Sequence, residues 1–171
     1  MTEARIHETD RRARRSRKAI LDALIRLIFS KRYGAIRTAE LIAEAGVGRS
    51  TFYEHFRSKD DVLLAAIDPI FVPLAAAASG HASPAGLRAT LDHMWAQRMF
   101  ARVMFEPPLG SKLQRKLAAQ IAERLAEGPD GVPVGLVATG LAARQLALLK
   151  AWLAGEEGCS ATDLARHLAG R

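Results

Sequence analysis

Apolar positions recur at helical spacing along almost the whole chain, and no stretch alternates with the two-residue period of a strand. Ile20, Ala23, Leu24, Leu27 and Ile28 form one stripe and predict a helix from about Arg15 to Ser30. A second helix is expected from Thr38 to Ala45 and a third from Arg49 to Phe56, where Phe52 and Phe56 lie four apart on one face. Ser58 with Asp61 three residues on reads as a capping box that opens a fourth helix through Val62, Leu63, Ala66 and Ile67. Asp68-Pro69 and then Pro73 predict a stop or a kink within residues 59–78.

Farther on, Ser83-Pro84 supplies an N-cap and a first helical residue, and the apolar pattern runs through Leu87, Leu91, Met94, Trp95 and Met99. Pro107-Pro108 closes that section. Leu109 to Glu127 is the next amphipathic stretch, and Gly128-Pro129-Asp130-Gly131 is a turn. Residues 132–153 are apolar and rich in small side chains, and Ser160 caps a last helix over 161–168. Small-residue helices can pack closely, either inside one subunit or between two copies. The expected fold is therefore all-α, divided into residues 1–60 and 61–171.

The segment Gly46 to Arg57 changes this picture most. Gly46 follows a helical run where a positive φ ends a helix at little cost, Val47 plugs the corner, and Gly48 stands at the N-cap of the next helix. With Phe52 and Phe56 facing the core, Arg49, Ser50, Thr51, Tyr53 and His55 occupy the remaining surface. Arg49 can fork onto a guanine edge, while Thr51, Tyr53 and His55 offer single hydrogen bonds to phosphate oxygens. This is the layout of a helix-turn-helix, and double-stranded DNA is its expected partner.

Charge supports the same partner. The chain of 171 residues carries a net +7, and residues 1–60 hold 14 Lys and Arg against 8 Asp and Glu, whereas residues 61–171 hold 11 against 10. Arg5, Arg11, Arg12, Arg14, Arg15, Arg17 and Lys18 form a basic arm that gains affinity from counterion release near a phosphate backbone.

Other classes find little support. Cys159 and His167 are eight apart, His81 and His93 twelve apart, and no second Cys completes a zinc spacing. Neither a glycine-rich phosphate loop nor a nucleophile elbow is present, so no enzyme, metal or cofactor is expected. The charged N-terminus is unlike a signal peptide, and no charge-free run approaches the roughly 20 residues of a membrane span, which makes the cytoplasm the expected compartment.

Residues 16–64 resemble the DNA-binding domain of the tetracycline-repressor-like (TetR) family. The resemblance rests on Tyr33 in the first turn, Ala45-Gly46-Val47, Thr51-Phe52-Tyr53-Glu54-His55-Phe56 and Ser58-Lys59, in the family's order and spacing. It implies that Arg49 and Ser50 face bases, that Thr51, Tyr53, His55 and Lys59 hold phosphates, and that Arg37, Thr38 and Gly48 lie at the same surface. Two positions depart from the family pattern: Arg32 replaces a usual Gly, and Arg37 a usual capping Thr, so Thr38 or Glu40 must help cap the second helix.

The resemblance further implies a homodimer joined through the last two helices, about 132–153 and 161–168, a near-palindromic operator and a repressor released by a small ligand. His93, Met94, Trp95, Met99, Phe100, Met104 and Phe105 crowd one region of the sequence and suit either an apolar ligand pocket or the core. The rival reading is a helical architectural protein that binds nucleic acid without sequence preference.

Overall fold

The computed structural model describes residues 2–105, 109–128 and 131–170, with the side chains of residues 2–9, 100, 102 and 103 left out. Pro107-Pro108 and Pro129-Asp130 lie outside the described residues. The elements are α1 (Thr2–Ser30), a 3-10 turn (Tyr33–Ala35), α2 (Thr38–Ala45), α3 (Arg49–His55), α4 (Lys59–Ala78), α5 (Pro84–Ala96), α6 (Arg98–Val103), α7 (Leu109–Ala122), α8 (Val134–Ala154) and α9 (Ala161–Leu168). No strand occurs among the described residues.

Two compact units result, Met1–Ile67 and Asp68–Arg171, and α4 runs through the boundary. In the first unit α1 packs on α2 and α3. The core there joins Ile20, Leu24, Leu27 and Ile28 to Leu41, Phe52, Phe56, Val62 and Leu63, all of them buried. Truncating a ring as completely enclosed as Phe52 costs about 3 to 5 kcal/mol, so this stripe carries much of the unit's stability.

In the second unit α7 pairs with α8, α5 with α9, and α6 with α8. Leu113, Leu117 and Ile121 of α7 and Ala138, Ala142 and Leu149 of α8 are buried. Trp152 stacks on Trp95 with ring centroids 4.8 Å apart and donates its Nε1–H to the Cys159 carbonyl at 2.8 Å. Two glutamines reach α4 from this core: Gln120 donates to Asp68 Oδ1 at 2.9 Å and Gln145 to the Leu74 carbonyl at 3.0 Å.

Several boundaries differ from the expected ones. The first helix starts at Thr2 rather than near Arg15, because its Arg-rich start has good helix propensity although it lacks an apolar stripe. Helix α4 does not stop at Asp68-Pro69: both Pro69 and Pro73 lie inside it. Each proline removes one backbone donor to the carbonyl four residues back. The fifth helix ends at Ala96, with α6 separate, and α7 ends at Ala122 rather than Glu127.

Helices α4 and α8 are long and apolar enough by length and composition to cross a membrane. In both, a buried stripe faces the packed interior, as Val62, Leu63, Phe71 and Leu74 do in α4, and core helices pass the same test.

Candidate nucleic-acid interface

The turn between α2 and α3 is built as its residues require. Gly46 adopts the left-handed conformation, φ 63° and ψ 30°. Its N–H donates to the Ala43 carbonyl at 3.1 Å and the Val47 N–H to the Ile42 carbonyl at 3.4 Å, which together satisfy the end of α2. Gly48 is extended at the N-cap of α3 and has no side chain to cap with, while its carbonyl accepts the Phe52 N–H at 3.0 Å.

Helix α3 is held from one side. Phe52 meets Tyr53 edge-on at 5.3 Å and Phe56 at 6.2 Å, and the Arg17 guanidinium of α1 covers the Phe56 ring at 4.8 Å. Arg49, Ser50, Tyr53 and Glu54 are left exposed, and Thr51 and His55 are half-buried at the edges. Tyr53 is 47% exposed, and the Arg49 guanidinium lies 5.8 Å from its ring. At that distance the ring face attracts the cation, which draws the guanidinium over the exposed side of α3.

The remaining expected site residues lie nearby in the same unit. Arg37 is the extended, exposed N-cap of α2, and Thr38 is the first, half-buried residue of that helix. Capping is supplied by Glu40, which accepts the Arg37 backbone N–H and also a hydrogen bond from Lys31 Nζ. These contacts, Lys31 first, hold the Glu40 carboxyl below its ordinary range. Arg32 has φ −60°, so no glycine is needed there.

At the start of α4, Ser58 Oγ accepts the Asp61 N–H at 3.2 Å. The reciprocal bond runs from the Arg57 N–H to Asp61 Oδ2 at 3.0 Å, one residue before the one a capping box would use. Lys59, expected to face phosphate, donates instead to the carbonyls of Tyr33 at 2.9 Å and Ile36 at 2.6 Å. Sequence reasoning missed this inward use, as it missed the hydrogen bond from the Tyr33 hydroxyl to Asp60.

The expected ligand residues separate. Met94 and Met104 are buried, His93 and Trp95 are exposed, Phe105 is half-buried and Met99 is 71% exposed. The side chain of Phe100 lies outside the described residues. A cleft of about 410 Å³ is lined by Pro84, Ala85, Arg88, Thr162, Ala165, Arg166 and Ala169, and a second of about 290 Å³ includes Ala77, Leu141, Arg144, Gln145 and His167; none of the seven residues lines either. Among the described residues no group of three or more His, Cys, Asp or Glu is placed to hold a metal ion.

Comparison with known proteins bears on the first unit. Residues 20–66 match bacterial regulatory proteins of the tetR family. The chain is 44% identical over 52 residues to the HTH-type transcriptional regulator EthR of Mycolicibacterium smegmatis (strain ATCC 700084 / mc(2)155), a stretch that covers 30% of this chain and 24% of that relative. The similarity thus spans about a quarter of the relative's length. Over 96% of this chain and 97% of the other, the fold is like that of the TetR transcriptional regulator from Streptococcus agalactiae 2603V, with a TM-score of 0.58 at 22% identity. The helix-turn-helix thus lies within the residues that are similar to the tetR family of bacterial regulatory proteins.

Proposed function

We propose that the protein is a sequence-specific, DNA-binding transcriptional regulator that acts in the cytoplasm as a homodimer on a near-palindromic operator. One observation carries the reading: Arg49, Ser50 and Tyr53 stand exposed on a helix whose other side is fixed by Phe52 and Phe56. Arg49 and Ser50 read base edges; Thr51, Tyr53 and His55 hold the phosphates; Arg37, Thr38 and Gly48 border the same contact. Because one recognition helix covers only a few base pairs, specificity requires two half-sites about 34 Å apart, or a multiple of it, and therefore a dimer.

The dimer forms through α8 and α9. Leu136 of α8 is 66% exposed, and Gly135, Thr139, Gly140 and Ala147 share that helix's exposed surface, a set that suits close helix packing. Repression is relieved by a small apolar ligand that favours the conformation with the wrong separation of recognition helices, to the extent of its differential affinity for the two states.

Selection of duplexes from a random pool, followed by titration of the winner against scrambled DNA, tests the reading. A palindrome bound by two protomers, preferred by about 10³-fold or more and weakened by Arg49→Ala, supports it. Equal binding to both duplexes, dependent only on salt and on the Arg11 to Lys18 segment, would establish the non-specific alternative instead.

A further inference from the structure

The residues between the 3-10 turn and the start of α4 include the whole of α2 and α3, and three side chains close that segment at its base. Tyr33, only 4% exposed, donates its hydroxyl hydrogen to Asp60. Lys59 Nζ bridges the carbonyls of Tyr33 and Ile36 and lies 4.5 Å from the centroid of the Tyr33 ring. Neighbouring Lys59 and Asp60, on the first turn of α4, thus grip the connection between α1 and α2 twice.

The chemistry of the grip explains its residues. A 3-10 turn presents its last carbonyls close together, and an ammonium answers two of them with separate donors. The Tyr33 ring face adds attraction for the same cation. Burial first, and then the bond to Asp60, push the Tyr33 hydroxyl above its ordinary range, so it stays a donor across physiological pH.

We propose that Lys59 is a positioning residue for DNA recognition: with Tyr33 and Asp60 it clasps the first turn of α4 to the α1–α2 connection and so fixes the helix-turn-helix for binding. The proposal rests on the DNA-binding reading above and reassigns one residue within it. Lys59 serves recognition through the geometry of α2 and α3, and its charge does not neutralise a phosphate.

Salt dependence separates the two roles. Each phosphate contact adds about 0.9 to the slope of log affinity against log salt, whereas a residue that acts through geometry changes affinity and leaves the slope alone. Operator and scrambled duplexes are titrated at several salt concentrations with the native protein, Lys59→Met and Tyr33→Phe. Methionine keeps an apolar stem over the Tyr33 ring, and phenylalanine keeps the buried ring. Both variants are expected to lose about tenfold in operator affinity with the native salt slope and unchanged binding to scrambled DNA. A slope reduced by about one unit in Lys59→Met, or native operator affinity in either variant, would overturn the clasp. Tyr33→Phe decides the question alone if Lys59→Met does not fold, because a buried hydroxyl cannot meet a phosphate. Failure of the native protein to prefer its operator would sink the DNA-binding reading itself, a result distinct from either variant outcome.

Discussion

The guanidinium of Arg17 lies 4.8 Å from the centroid of the Phe56 ring, so a cation of the basic N-terminal segment is turned toward the end of α3. It ties α1 to the last ring that anchors α3. Arg17→Ala is expected to destabilise the first unit by about 0.5 to 1 kcal/mol, the worth of an exposed cation–π contact. Urea unfolding followed by a probe in that unit checks this, and an unchanged midpoint would show that the contact contributes nothing.

Arg37 offers the contrasting case. It is exposed at the N-cap of α2 and has no side-chain capping bond. If it meets a phosphate, Arg37→Ala reduces the salt slope of operator binding by about one unit, with stability unaffected. An unchanged slope removes Arg37 from the interface.

Two glycines at the corner behave oppositely on substitution. Gly46 sits at φ +63° with open space where a Cβ would go, so Gly46→Ala meets backbone strain alone and costs about 1 to 2 kcal/mol. Gly48 is extended, and a Cβ there would lie at ordinary contact distance, 3.7 Å from Thr51 Oγ1. Gly48→Ser is therefore expected to stabilise α3 by a few tenths of a kcal/mol to about 1 kcal/mol through capping. Thermal melts of the two variants should shift in opposite directions.

Acid should weaken the tie between the end of α1 and α2. Glu40 is held below its ordinary value of 4.5 chiefly by the hydrogen bond from Lys31. A depressed folded-state value means that the contribution is present above the ordinary value and is lost as pH falls below it through the folded one. The stability difference between the native protein and Lys31→Met should accordingly be larger at neutral pH than in acid; a constant difference would remove the ion pair as its cause.

In the second unit Trp152→Phe removes the bond to the Cys159 carbonyl and alters the stack on Trp95. The expected loss is about 1 to 3 kcal/mol, read from urea unfolding.

Local chemistry was legible in the sequence and distant pairing was not. The spacing of Phe52 and Phe56, the role of Gly46 and the caps at Ser58, Ser83 and Ser160 depend on neighbours within a turn, and each stands as its pattern requires. Trp95 and Trp152 meet across a long stretch of chain, and nothing in periodicity pairs them. Lys59 looked like a surface cation because sequence shows a charge but not the carbonyls that receive it. The crowd from His93 to Phe105 spreads over buried, half-buried and exposed positions for a related reason: adjacent helical residues point about 100° apart, so closeness in sequence distributes side chains around a helix.

The unbroken α1 alters what its cations can do. At 29 residues and about 1.5 Å each, it is a rod of roughly 43 Å. Its basic residues crowd the stretch up to Lys18, where like charges such as Arg11 with Arg15 and Arg14 with Lys18 stand four apart and repel, partly offset by the i, i+4 ion pairs of Arg14 with Asp10 and Lys18 with Asp22. Such a rod is braced against its own repulsion, and a polyanion alongside would relieve that repulsion and deepen its helicity. On the proposed DNA-binding reading, the helicity of this end and the capture of a duplex are linked, and each strengthens the other.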